Sequence, residues 1–181
     1  GEGEVLAIDG KALRGTQIAG EKGSDYVLSV YDVNNQLVVA QAAVDIKENE
    51  IVAAPRALEG VPLAGKVVTG DALHTQRAIS EQIVARGGHY VWPVKENQPQ
   101  LYQDIERLFA PDQPKPAFGK IATDFARVTK VNYGHGRLEK RTIQTSAMLN
   151  EYSDWPGLGQ VYRLERNFEW IRRGKVYKTS S

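Results

Sequence analysis

The chain has 181 residues, no cysteine, 41% hydrophobic and 25% charged residues, and 23 basic side chains against 22 acidic ones, a net charge of +1. A chain of this length and composition builds an ordinary globular core. The missing cysteines exclude disulfide staples, thiolate zinc sites and a cysteine nucleophile, and the near-neutral balance excludes a strong overall field of either sign.

No apolar run approaches the roughly 20 residues that a membrane span needs, and Gly1-Glu2-Gly3-Glu4 is not a signal peptide. That start, and an end at Lys178-Thr179-Ser180-Ser181 straight out of a strand-like run, have the look of cut edges, so a fragment is expected. The basic residues are unevenly spread. Arg127, Lys130, Arg137, Lys140 and Arg141 surround one acid, Glu139, and Arg163, Arg166, Arg172, Arg173, Lys175 and Lys178 follow. A half of this kind can follow a phosphate backbone, and equally can be a solvated strand face.

In chain order, Val5 to Asp9 alternates as a buried strand that ends in a carboxylate and a glycine. A carboxylate buried there would demand a cation as partner. Ala12 to Ser24 reads as a loop. Tyr26 to Asp32 and Leu37 to Val44 read as two more strands of an antiparallel meander, with Asn34-Asn35 at the turn. Ile51 to Leu58 reads as a helix, with Pro55 in its first turns, where a missing N–H is best tolerated. Lys66 to Thr69 is a fourth strand, again ending in Gly70-Asp71.

Thr75 to Ala85 carries Ala78, Ile79, Ile83 and Val84 at helical spacing and is closed by Gly87-Gly88. Tyr90 to Val94 is a fifth strand, at or near a sheet edge because of Pro93. Asn97-Gln98-Pro99 opens a helix with Leu101, Ile105, Leu108 and Phe109 as its apolar stripe. After the proline-rich stretch Pro111 to Gly119 the chain is strand-like throughout: Phe125 to Tyr133, Leu138 to Ser146, and a long hairpin from Gln160 to Tyr177 closed near Gly174. This is the order of a ribonuclease H-like α/β domain, a mixed sheet flanked by helices, with an added β-rich region. The expected division is residues 1–110 for the core and 111–181 for the basic β-rich insertion.

In such a core the first and fourth strands are neighbours, so Asp9 and Asp71 meet at one end of the sheet. Two hard carboxylate oxygens facing one gap suit Mg²⁺ or Mn²⁺, and two such ions are the machinery of phosphodiester chemistry. Either aspartate taken alone is more commonly a turn or helix cap; the pair within this strand order points to the metal.

Five motifs then come in one order: Ile8-Asp9-Gly10-Lys11 with Leu13-Arg14-Gly15; Asp45-Ile46-Lys47-Glu48-Asn49-Glu50-Ile51; Gly70-Asp71-Ala72 with Thr75-Gln76; Lys95-Glu96-Asn97-Gln98-Pro99; and Gly134-His135-Gly136-Arg137-Leu138-Glu139-Lys140-Arg141. Together they resemble the ISAs-type group of bacterial insertion-sequence transposases of the DDE superfamily, which includes the H-repeat-associated proteins. The resemblance covers nearly the whole chain.

It implies DNA strand cleavage and strand transfer at insertion-sequence ends, two Mg²⁺ or Mn²⁺ ions in the full-length enzyme, DNA as partner, a homodimer on paired ends, no membrane, and a bacterial cytoplasmic, nucleoid-associated location. Asp9 and Asp71 match the family's first two catalytic acids. The third, a glutamate on a downstream helix within a His-Trp-x-Ile-Glu-Asn type motif, has no counterpart here. The chain is therefore expected to hold two of three metal-binding carboxylates and to be inactive alone. Glu139 is the other candidate for the third acid; flanked by Arg137, Lys140 and Arg141, it also reads as a cross-strand ion-pair partner.

Lys11 and Arg14 would meet phosphates or balance Asp9. Lys95, Asn97 and Gln98 would hold DNA backbone at the rim of the site, Asn97 serving equally as a helix cap. His135 between two glycines could touch phosphate, and Arg137 and Arg141 belong to the same basic set. His74 reads as a helix cap or as a lining residue, and Trp92 as core or as a stacking partner for a flipped base. Two other classes remain open: a non-catalytic DNA-binding remnant, and a stand-alone ribonuclease H-like nuclease that uses Glu139.

Overall fold

A computed structural model describes residues 3–12, 26–44, 49–110, 124–134, 136–172 and 175–180. The chain divides into two compact units, one of residues 1–102 with 155–157, the other of residues 103–154 with 158–181.

The first unit is a mixed α/β layer structure. Its strands are β1 (Val5–Ala12), β2 (Tyr26–Asp32), β3 (Leu37–Val44), β4 (Val67–Thr69) and β5 (His89–Val91), in the sheet order β3-β2-β1-β4-β5. The first three form an antiparallel meander, and β4 and β5 join in parallel. Parallel neighbours need crossover connections. Helix α1 (Glu50–Leu58) lies in the connection from β3 to β4 and α2 (Arg77–Ala85) in that from β4 to β5.

Alternation along β1 sends Leu6 and Ile8 into the core, where they join Leu28 and Val30 of β2, Val68 of β4, Ala53, Ala54, Ala57 and Leu58 of α1, and Ile79 and Ile83 of α2. Small alanines on α1 let the helix approach the sheet closely, and the aliphatic side chains around them supply most of the burial free energy.

Local chemistry sets the element ends. At the β2–β3 turn, Asp32 accepts from Asn35 N and Nδ2, both at 2.9 Å, while Asn34 Oδ1 accepts from Val5 N at 2.8 Å and so ties down the start of β1. Asn49 caps α1 by accepting from Val52 N at 3.3 Å. Pro55 is the sixth residue of that helix, which begins one residue earlier than the sequence suggested and keeps the proline within its first two turns. At the C-terminal end of α1, Arg86 donates to Leu58 O and Val61 O. Gly87 has φ of +72° and closes α2, with Gly88 N donating to Ile83 O at 2.9 Å and Gly87 N to Val84 O at 3.0 Å. This is the double bond pattern of a Schellman stop.

Two sequence expectations change. The helix expected from Thr75 begins at Arg77, because Asp71 caps a separate 3-10 turn over Ala72–His74. The fifth strand ends at Val91; it is the sheet edge, as Pro93 requires.

The boundary between the units falls within α3 (Pro99–Leu108). The second unit is a four-stranded antiparallel sheet of β6 (Ala126–Gly134), β7 (Arg137–Ser146), β8 (Val161–Arg172) and β9 (Lys175–Ser180), paired in sequence order. β8 is continuous through Arg166, and β8 and β9 form the long hairpin. Its buried side chains include Phe109, Thr142, Ser146, Leu149 and Val161, whereas β6 is exposed along its whole length. Asp124 fastens the sheet to the segment after β7, accepting from Ser146 Oγ at 2.6 Å and from Ala147 N.

Candidate active site

β1 and β4 pair in parallel with Val5 opposite Val67, Leu6 opposite Val68 and Ala7 opposite Thr69. Asp9 and Asp71 each stand two residues beyond the last rung of this ladder. β4 ends at Thr69 while β1 continues to Ala12, so the strand end bearing Asp9 overhangs its neighbour. That overhang corrects one expectation. The Asp9 side chain is 68% exposed rather than buried, and that of Asp71 is 71% exposed. Neither carboxylate needs a partner to offset desolvation.

Asp71 caps the turn that follows it, its Oδ1 accepting from Leu73 N at 2.9 Å. Lys11 Nζ lies 3.9 Å from Asp9 Oδ2 and is itself exposed, a loose and solvent-screened pair.

Beside the two aspartates lies a more buried group, in which the sequence marked His74 for a role but neither Tyr26 nor Glu50. Tyr26, at the start of β2, donates its hydroxyl proton to Glu50 Oε1 at 2.5 Å. Glu50 opens α1, and its Oε2 lies 3.4 Å from His74 Nε2, which in turn lies 3.9 Å from Asp71 Oδ1. His74 is 1% exposed and lines this end of the sheet rather than capping the following helix; its Nδ1 has no hydrogen-bond partner.

The glycines beside the aspartates make room for this group. A Cβ on Gly10 would come within 2.6 Å of the Tyr26 ring and hydroxyl and 2.7 Å of Glu50 Cδ. On Gly70 it would come within 2.9 Å of the His74 ring. Those two glycines were the signal in the sequence: backbone without a side chain marks a close approach.

The electrostatics agree with the geometry. The Tyr26 hydroxyl is pushed up to about 12 from 10.0, first by its hydrogen bond to Glu50, then by burial, then by the charges of Glu50, Asp9 and Asp71. Three carboxylates therefore act on one point, and the donor set there is entirely hard oxygen plus one imidazole. Oxygen donors with exposed faces fit a divalent cation that keeps several of its waters. Among the described residues, no group of three or more His, Asp or Glu side chains is arranged to hold a metal ion. Asp9 and Asp71 present exposed carboxylate oxygens beside the Tyr26, Glu50 and His74 group.

Nearby, Lys95, Glu96, Asn97 and Tyr102 line an open cleft of about 430 Å³ together with Ala72 and Leu73. Asn97 Nδ2 donates to Ala72 O at 2.7 Å, and Gln98 Nε2 donates to Thr75 O at 2.8 Å. Both amides thereby tie the segment after β5 to the turn that carries Asp71. Trp92 is core: it is 7% exposed, donates from Nε1 to Ser80 Oγ at 3.0 Å and stacks on Tyr90.

In the second unit, Glu139 on β7 is held by Arg141 through both carboxylate oxygens, at 2.7 and 3.0 Å. That contact holds the Glu139 carboxyl below the usual glutamate value. Arg137 sits 4.8 Å above the Phe168 ring. Arg14, His135 and the segment 45–48 lie outside the described residues. No helix among the described residues is long and apolar enough to cross a membrane.

Residues 1–154 match the family model described as "Transposase DDE domain". The chain belongs to that family. It is 34% identical over 169 residues to an uncharacterised protein of the dhlA 3′ region of Xanthobacter autotrophicus, covering 92% of this chain and 55% of that protein. It is 37% identical over 163 residues to the "H repeat-associated putative transposase YhhI" of Escherichia coli K12, covering 87% of this chain and 42% of that protein. The chain thus spans about half the length of the curated relatives it matches. No solved structure matches it.

Proposed function

We propose that this chain contributes the first two metal-binding carboxylates, Asp9 and Asp71, to a transposase that cuts DNA at insertion-sequence ends and joins the freed 3′-hydroxyl to target DNA. The observation that supports the proposal is the parallel pairing of β1 and β4, whose last rung, Ala7 opposite Thr69, stands two residues before each aspartate. A ribonuclease H-like core is supported by the strand order β3-β2-β1-β4-β5, with an antiparallel meander and two parallel strands beyond it.

Mg²⁺ or Mn²⁺, two ions in the complete enzyme, would polarise the phosphate and activate a water or 3′-hydroxyl. The residues of the chain hold and orient. Asp9 and Asp71 offer exposed oxygens, and the Asp71 backbone is fixed by its own cap to Leu73 N. Lys11, free to swing from its long contact with Asp9, meets a phosphate oxygen once the carboxylate is engaged. Lys95 contributes charge at the rim, while Asn97 and Gln98 shape that rim through their bonds to Ala72 O and Thr75 O.

On the second sheet, Lys130, Arg141 and Arg166 occupy one rung across β6, β7 and β8. With Arg137 they form a basic face suited to a DNA backbone. Arg14 and His135 are assigned to phosphate contact by their place in the motifs. The bidentate contact with Arg141 supports an ion-pair role for Glu139, not that of a third metal ligand.

The test is cleavage of a duplex bearing the element's ends by the complete enzyme in the presence of Mg²⁺. Cleavage abolished by Asp9→Asn and by Asp71→Asn is the expected result; cleavage that survives both overturns the assignment.

A further inference from the structure

We infer that Glu50 is a positioning residue that sets both aspartates through one partly buried carboxylate; this rests on Asp9 and Asp71 being the metal seat. On one side Glu50 receives the Tyr26 hydroxyl at 2.5 Å, and both groups press against Gly10, the residue that follows Asp9. On the other side Glu50 Oε2 faces His74 Nε2 at 3.4 Å, and the same nitrogen faces Asp71 Oδ1 at 3.9 Å. His74 also fills the space beside Gly70, where a Cβ would lie 2.9 Å from its ring and 3.3 Å from Ile8 O of β1.

One side chain therefore reaches both aspartate-bearing segments, which are distant in sequence. The Glu50 side chain is 17% exposed, against 68% for Asp9 and 71% for Asp71. It is the fixed part of the end of the sheet, and the aspartates are the accessible part. Buried groups that orient the ligands of a metal typically change its affinity by about 10- to 100-fold when removed. Carboxylates on unsupported strand ends would have to be ordered by the ion itself, at a cost in affinity.

The charge of Glu50 alone would also draw a cation, so the variants must separate charge from position. Tyr26→Phe keeps every carboxylate and removes the hydroxyl that fixes Glu50. Glu50→Asp keeps the charge and withdraws it from Tyr26 and His74. Mn²⁺ affinity is measured by calorimetry on the 181-residue chain, with thermal melting and circular dichroism of each variant alongside.

Positioning predicts that Mn²⁺ binding weakens about tenfold in Glu50→Asp and Glu50→Gln and at least threefold in Tyr26→Phe, at temperatures where each variant is folded. Binding unchanged or tighter in Tyr26→Phe and Glu50→Asp, with loss in Glu50→Gln alone, means that only charge matters and overturns the inference. Unchanged binding in all three does the same. If a Glu50 variant fails to fold, Tyr26→Phe decides. Failure of the underlying metal reading is recognised separately: the parent chain takes up no millimolar Mn²⁺, or Asp9→Asn and Asp71→Asn bind it as the parent does, and the inference falls with it.

Discussion

Ala7 of β1 and Thr69 of β4 share the last rung of the parallel ladder between the two strands, and each stands two residues before an aspartate. Asp9 continues along β1 on the face of Ala7, because side chains two apart on a strand lie on one face, while Asp71 lies beyond the end of β4 and caps the turn that follows. Both carboxylates are open to water, the Asp9 side chain 68% and the Asp71 side chain 71% exposed.

Gly10→Ala tests how tightly the group beside those carboxylates is packed. The new Cβ would meet the Tyr26 ring at 2.6 Å and Glu50 Cδ at 2.7 Å, so one of them must shift. The expected cost is about 1–3 kcal/mol, as for other overpacked sites. A melting temperature equal to that of the parent would show that the space is looser than described.

The raised tyrosine gives a pH window with a definite sign. Tyr26 titrates near 12 in the folded protein and near 10.0 when unfolded. The stability it contributes is complete below pH 10 and is lost as the pH rises through 12. Tyr90, pushed up to about 12 by burial, behaves alike. Ultraviolet titration should find one late-titrating tyrosinate fewer in Tyr26→Phe; an unchanged count contradicts the Glu50 hydrogen bond.

Glu139 provides the opposite sign. Its carboxyl is held low first by the hydrogen bonds from Arg141, so its contribution is present above the usual glutamate value of 4.5 and is lost as the pH falls through the lowered one. In Arg141→Gln the carboxyl resonance of Glu139 should titrate at a higher pH than in the parent. Equal titration in both would remove the ion pair.

Trp92→Phe separates a core tryptophan from one that stacks on DNA. The variant loses the bond from Nε1 to Ser80 Oγ, an expected cost of about 1 kcal/mol, with DNA affinity unchanged. Weaker DNA binding at unchanged stability would reverse that assignment.

Much of this was legible in the sequence, for identifiable reasons. Alternation in Tyr26–Asp32, turn chemistry at Asn34-Asn35, the Gly87-Gly88 stop and Pro93 at an edge are local signals, and the strand order followed from them. Residues 70–76 were harder, because Asp71 can cap a turn of its own two residues before α2 begins. The exposure of Asp9 depends on β4 stopping earlier than β1, which no local pattern in β1 encodes. Glu50 was hidden for another reason. An acid in the first turn of a helix already has an explanation in the helix dipole, and its partners Tyr26 and His74 come from two other elements. Only the glycines next to the aspartates hinted at it.

The most direct test of the two-aspartate seat is a Mn²⁺ calorimetric titration of the parent chain, Asp9→Asn, Asp71→Asn and Glu139→Gln. The account predicts binding in the parent and in Glu139→Gln and its loss in both aspartate variants. Binding that persists without Asp9 or Asp71, or that disappears with Glu139, would contradict it.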